Sequence, residues 1–419
     1  MIEIMNIQFP KAKKLFLTKI NIIFIILLPI SVIAGSSIFN SLVILIDLIF
    51  IIELIKRKNN YLLKDYNFYF LMIIFLYLIL NSLFVATDKE YAIKDYESIT
   101  RSAGFLRFII LAYAIHFYFI NNQNIILKYW LIFFIVVTVD ILIEYFFGRN
   151  TLGFTSVGGR IASFRPNDLN IGGYYFGFIM ISLLFIQKKN TKLFLLASII
   201  FFTTILITSE RSNFIKVLSM YIMFILFISQ INIYKKTILV LGILLITTVF
   251  VMNIEKLERK FYDHIFIPIN KIIKSEDNSK INAAIKRIEY LSLYNSAWKI
   301  FKTYPILGSG LKTYRYESYG LKKKDITIYG ASTHPHQIHF EILSEIGLIG
   351  YILIMLNFIN RIYVNRSSKK NFLSKSSILF LIATLIPILP SGSFFSSYTA
   401  VIFWINYAFL ITAKPHLKS

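Results

Sequence analysis

Cysteine is absent from the 419 residues, which excludes disulfide frameworks, thiolate metal sites, iron–sulfur clusters and cysteine nucleophiles. Charge is scarce as well. Only 16% of the residues are Asp, Glu, Lys or Arg, whereas a soluble domain carries roughly 25%, and this deficit excludes a soluble enzyme. Acidic residues are the scarcer kind: 22 Asp and Glu stand against 45 Lys and Arg, a formal charge of +23. In a soluble protein that excess would suggest a nucleic-acid partner. Set in a chain that is 56% hydrophobic, it is instead what basic residues produce when they collect in cytoplasmic loops. No nucleic-acid partner is expected. Gly/Ser linkers, internal repeats and an ATP-binding motif are also missing.

Apolar runs fill most of the chain. A helix needs about 20 apolar residues to cross the hydrocarbon layer. That ruler predicts twelve spans, at roughly 20–39, 41–55, 67–86, 105–120, 129–148, 171–187, 192–208, 213–230, 237–254, 338–360, 376–391 and 394–413. Lys11, Lys13 and Lys14 precede the first run, which is long and lacks a good small-residue cleavage site, so it reads as an uncleaved span. With the N-terminus inside, alternate loops on that side hold 21 Lys and Arg against two acids, and the opposite loops hold 21 against 13. The nearly pure basic set belongs in the cytoplasm, with both termini there. Basic segments at 56–66 and 361–375 suit contact with anionic membrane lipids. The expected fold is an all-α polytopic membrane protein of about twelve transmembrane helices. It divides into residues 1–254 with helices one to nine, an outward loop at 255–337 that is mostly helical, and residues 338–419 with helices ten to twelve.

Four polar clusters lie on the outward side of this arrangement. Arg211 sits in Ser209-Glu210-Arg211-Ser212, between two spans with almost no loop. A guanidinium there is costly unless it is paired or lines a polar cavity, so the cluster is either a local Glu210–Arg211 polar cap or part of a site. Arg160 and Arg165 flank a glycine- and amide-rich stretch that is either an exposed turn or a holder of phosphate and sugar oxygens. Arg287 opens an amphipathic helix in the long loop, where a solvated face is the structural alternative. The fourth cluster is Thr333-His334-Pro335-His336-Gln337-Ile338-His339-Phe340-Glu341, leading to Gly347 and Gly350. Its histidine spacing resembles a ligand set, but no acid completes it on the loop side, and no metal or other cofactor is expected. A neutral imidazole at the mouth of a wet cavity, with a carboxylate such as Glu341 in reach, instead suits general-base work near neutral pH. Cationic side chains there would stabilise a departing phosphate.

His336-Gln337, nine residues, then Gly347-Leu348-Ile349-Gly350 resembles the His-[Asn/Ser/Gln]-x9-Gly-x-x-Gly signature of the O-antigen ligase family, within the ligase and polymerase superfamily of bacterial surface polysaccharide assembly. The likeness extends to twelve spans, a long outer loop before span ten, Arg211, Arg287 and the Trp298…Pro305…Gly308-Ser309-Gly310 stretch. It implies a metal-independent, inverting glycosyltransferase in the bacterial inner membrane. Such an enzyme takes a glycan from polyprenyl (undecaprenyl) diphosphate at the periplasmic face and passes it to an acceptor hydroxyl, for a ligase that of lipid A-core in lipopolysaccharide biosynthesis. By position the resemblance implies His336 as general base and Arg211 and Arg287 as holders of the donor diphosphate. Arg160, Arg165, Glu341, His334 and His339 are secondary candidates.

The nearest alternative is the polymerase branch, whose acceptor is another carrier-linked glycan. One large outer loop favours the ligase, and a chain ending at Ser419 disfavours a protein oligosaccharyltransferase. A flippase or secondary transporter would show repeat symmetry and broken helices in matching halves. Mid-span Asp47, Asp140 and Arg107 are the residues that speak for transport, or for buried pairing between helices.

Overall fold

The computed structural model describes residues 16–86, 97–156, 160–164, 171–253, 262, 270, 273–274, 289–326, 328–366 and 371–412. Among them there is no β-strand. The helices are α1 (Phe16–Ala34), α2 (Ser36–Lys56), α3 (Tyr66–Phe84), α4 (Glu97–Phe147), α5 (Ile171–Lys189), α6 (Thr191–Ile207), α7 (Arg211–Met223), α8 (Ile233–Asn253), α9 (Glu289–Thr303), α10 (Tyr314–Lys324), α11 (Ile338–Asn365), α12 (Phe372–Thr384) and α13 (Ser397–Ala408). α7 runs on through a π turn at Phe224–Ile228. Eight helices among the described residues are long and apolar enough to cross a membrane, and α6 and α12 are shorter apolar helices. The protein is an all-α polytopic membrane protein.

Each of the twelve expected spans has helix within it, but the last two differ in kind. α4 is 51 residues long and holds two expected spans, joined where Asn122 leaves helical geometry. α12 and α13 have 13 and 12 residues, about 20 Å each at helical rise against a hydrocarbon layer of ~30 Å. The expectation of continuous helix over 376–391 and 394–413 is therefore corrected. Leu385–Ser396 form an irregular connector, and Pro387, Pro390 and Gly392 within it explain why the helix stops.

α11 is also interrupted. Gly347 adopts φ 66°, ψ −171° in the middle of the helix. A regular helix would pair the amides of Leu348 and Ile349 with the carbonyls of Ser344 and Glu345. Here Leu348 N–H donates to Pro305 O (2.9 Å) and Ile349 N–H to Ile306 O (3.2 Å), while Ser309 and Gly310 N–H donate to Ser344 O (2.9 Å) and Glu345 O (2.8 Å). The remaining carbonyl, of Ile346, accepts from the Tyr77 hydroxyl at 2.7 Å. These backbone groups released by the break are re-paired, as an apolar setting requires. A Cβ on Gly347 would overlap the Ile306 carbonyl and the Gly308 amide, and one on Gly308 would overlap the Glu345 carbonyl. The two glycines are what let segment 305–310 lie against the broken helix. Asn81 of α3 holds the same segment from the far side, donating to Leu307 O (2.7 Å) and accepting from Leu311 N–H (2.9 Å).

The described part of the long loop, α9 and α10, is helical and sits on the start of α11. Ala297, Ile300 and Tyr314 form a small core against Tyr304, Leu321 and Phe340, and the Tyr294 ring stacks on Phe340 at 5.0 Å. At the other loop, Asp140 accepts from Thr151 N–H (2.9 Å) and Ser163 Oγ (2.7 Å), and Glu144 accepts from Ala162 N–H (2.9 Å). These two carboxylates fasten the loop after α4, so Asp140 is accounted for without a transport pathway.

Candidate active site

The connector 385–396 is where the site assembles. Pro390 lacks an N–H, but its carbonyl accepts from Ser212 Oγ and from Lys216 Nζ (2.8 Å), two residues one turn apart on a single face of α7. The next residue, Ser391, donates its N–H to the His336 carbonyl at 2.7 Å. The start of α7, which carries Arg211, and the segment just before α11, which carries His336, are thus tied to adjacent peptides. Further along, Ser393 Oγ and the Phe394 N–H (2.7 Å) donate to the buried carboxylate of Glu341. Lys312, also buried, donates to Ser393 Oγ (2.7 Å) and lies 3.4 Å from Glu341 Oε1. Glu341 is therefore the anchor of the connector, its charge balanced by Lys312.

Arg211 opens α7 after a tight turn in which Ser209 has φ 62°. The preceding Glu210 accepts from the Gly172 N–H (2.8 Å) and from Asn213 Nδ2 (2.7 Å), so it joins the starts of α7 and α5. A Cβ on Gly172 would lie 2.5 Å from that carboxylate, so only glycine allows the approach. Arg160 is exposed, and the N–H of its neighbour Ile161 points to the Thr208 carbonyl at 3.5 Å, beside the turn that leads to Arg211. Arg287 and Arg165 lie outside the described residues.

His336 is half-buried and has φ 56°, a left-handed conformation that costs an L-residue roughly 1–2 kcal/mol. Two neighbours impose it. Its own carbonyl is held by Ser391, and Gln337 is the extended cap of α11, its side-chain oxygen accepting from the Phe340 N–H at 2.9 Å. A side-chain acceptor at the position after the histidine thus has a plain role, fixing where the helix begins and so where the imidazole stands. The ring is edge-on to Tyr290, with centroids 5.6 Å apart, and its Nε2 lies 3.4 Å from Ser332 Oγ.

The other two histidines divide sharply. His334 lies against His336, ring centroids 3.9 Å apart. Its Nδ1 meets Thr333 Oγ1 at 3.1 Å, and its buried Nε2 has no hydrogen-bond partner among the described residues. Burial first, then His336, Lys312 and Arg315, push its pKa down to about 3, so it is a neutral imidazole in ordinary buffers. His339 instead faces the bundle. A carbonyl can only accept, so its Nε2–H donates to Leu385 O (2.9 Å), and Nδ1 accepts from the Tyr351 hydroxyl (3.0 Å). With both ring nitrogens engaged, His339 is a brace between α11 and the connector. The three histidines do not converge, and no group of three His, Asp or Glu side chains able to hold a metal occurs among the described residues.

The connector thus joins the start of α7, His336 and Glu341, with His334 against His336, and it engages Lys216 and Lys312, which with Ser391 the sequence had not singled out. The signal that could have found them is Pro390-Ser391-Gly392-Ser393, four turn-forming residues inside an apolar run. An imidazole with cations nearby, here Lys312 and Arg315 acting on the adjacent His334, is the equipment for moving a proton beside a leaving anion. No curated protein matches the chain. Residues 196–355, from α6 through the broken α11, match the family model described as O-Antigen ligase. That stretch, well under half of the chain, holds Arg211, Arg287, His336, Gly347 and Gly350, and over it the chain is similar to the O-antigen ligase family.

Proposed function

We propose that the protein transfers a glycan from a polyprenyl diphosphate to an acceptor hydroxyl at the periplasmic face of the inner membrane, inverting the anomeric centre, and that lipid A-core is the acceptor. The observation that carries this reading is the pairing at Pro390 and Ser391, which brings the Arg211 end of α7 and His336 to consecutive residues. The acceptor oxygen attacks the anomeric carbon and the bond from that carbon to the diphosphate oxygen breaks. His336 takes the hydroxyl proton as the new bond forms. The diphosphate leaves with the bonding pair, its charge met by Arg211 and Arg287. A sugar diphosphate is already activated, so a positioned base worth about 10²–10⁴-fold supplies much of the remaining acceleration, and no metal is required by this scheme.

The test is incubation of the purified protein with carrier-linked glycan, with and without lipid A-core. The expected product is glycosylated lipid A-core, formed only when that acceptor is present. Longer carrier-linked chains in both reactions would replace the ligase with the polymerase, and absence of any transfer would overturn the reading. Arg211→Lys is expected to lower kcat/KM at least tenfold, because an ammonium cannot reproduce a two-pronged guanidinium contact. Full activity of that variant would remove Arg211 from the donor site.

A further inference from the structure

At the far end of the connector from Pro390, two arginines of α4 meet at the start of α13, and a third, on α10, is linked to them through an acid. Arg101 Nη1 and Arg107 Nη2, both on α4, donate to the same hydroxyl, Ser397 Oγ, at 3.2 and 3.0 Å. Arg315 of α10 joins them through Glu97, whose carboxylate is 3.0 Å from Arg315 and 3.8 Å from Arg101. Among the described residues, two acids face the three guanidinium groups. Glu97 is one, and buried Asp47 of α2, whose charge is felt at Arg107, is the other. Even so, Nε of Arg107 and Nε of Arg315 are buried without a hydrogen-bond partner among the described residues. Gathering like charges in this way is unfavourable unless an anion completes the group. Ser397 accepts from two donors, so its own hydrogen is left to give. Ser396, the N-cap of α13, turns its hydroxyl to Ser393 O (2.9 Å) and accepts no first-turn amide on its side chain, which leaves those amides of a 12-residue helix open at the same end. The pocket is also close to the chemistry, because Arg315 lies near enough to His334 to oppose its protonation.

We infer that Arg101, Arg107, Arg315 and Ser397 form a second binding site for a phosphate group borne on a lipid, built on different helices from Arg211. Planar guanidinium forks match phosphate oxygens in pairs, and three of them around a helix start and a hydroxyl make a cradle for one phosphate group. The ligand chemistry has two sources: the carrier diphosphate as it leaves, or a phosphorylated acceptor glycolipid. Binding does not require turnover, so the inference stands or falls separately from the assignment of Arg211 and His336.

The experiment is calorimetric titration of the purified full-length protein with inorganic diphosphate. The wild type is expected to show two sites, Arg211→Gln one, and the pair Arg107→Gln with Arg315→Gln also one, the missing site being at least tenfold weaker. Arg315→Gln alone, at a partly exposed side chain, keeps the test open if the double variant is unstable. Pre-loading with polyprenyl diphosphate or with a phosphorylated acceptor glycolipid tells which source occupies the site, since the physiological one removes the heat that the α4 and α10 variants remove. If the wild type binds a single diphosphate that Arg211→Gln abolishes, or if the double variant binds two as the wild type does, the inference is wrong. If Arg211→Gln changes nothing while the double variant loses binding, the second site holds and the donor assignment fails.

Discussion

His334 and His336 are two residues apart, yet their rings meet at 3.9 Å, so a proton on either opposes a proton on the other. His334 is the one kept neutral, by burial and by nearby Lys312 and Arg315. Its pKa near 3 lies below the roughly 6.5 of an imidazole in the unfolded chain. Below about pH 6.5 the unfolded chain takes up a proton that the folded protein refuses, so this residue's cost to stability grows as pH falls toward 3 and vanishes above neutrality. The melting temperature of His334→Gln relative to wild type should therefore rise steadily between pH 7 and pH 4, and a difference independent of pH would show that His334 is not held neutral. His339, by contrast, carries its proton on Nε2 toward Leu385 and has no free nitrogen. His339→Gln is expected to act on stability more than on the chemical step, a distinction that kcat measured alongside thermal unfolding can make.

The elements that define the site are the two places where helix is missing. In α11 the break is paired group for group with segment 305–310 and with Tyr77. Gly347→Ala should be severe, because a Cβ there meets the Ile306 carbonyl and φ 66° disfavours any L-residue. A loss of several kcal/mol is of the order expected for a clash with backbone at a strained position. The measurement is the yield and thermal midpoint of monodisperse protein, and Gly320→Ala, where a Cβ meets nothing, is the control that should behave as wild type. The glycine signature was legible in the sequence, as were the placement of the histidine before α11 and the tight turn at Arg211. The connector was not. Its residues 385–389 and 394–395 are apolar enough to pass for membrane helix; Pro390-Ser391-Gly392-Ser393 marks a turn, but only the tertiary hydrogen bonds to α7, α11 and Lys312 fix the path of the chain. Arg107 stood out in the sequence only as a mid-span charge, and its meeting with Arg101 was unreadable for a similar reason, since their common partner Ser397 is nearly 300 residues away.

At the scale of the whole molecule, the charge asymmetry of the loops gives an orientation that a cysteine-free chain makes easy to check. Tyr319 in α10 and Leu63 before α3 are both exposed, on sides that the loop charges place apart. In intact cells with a permeable outer membrane, an impermeant maleimide should label Tyr319→Cys and spare Leu63→Cys until the inner membrane is opened. The reverse pattern would invert the topology and with it the side on which transfer occurs. Treatment of the purified protein with EDTA should leave turnover unchanged, and activity lost to the chelator and restored by a divalent ion would contradict the metal-free scheme. The central claim is the proposal that His336 takes the acceptor's proton while Arg211 and Arg287 hold the donor. It is tested most directly by steady-state transfer kinetics of purified His336→Ala with carrier-linked glycan and lipid A-core. The account predicts that KM for the donor stays within a few fold while kcat falls by about 10² or more; a variant that folds and keeps kcat within tenfold of wild type would contradict it.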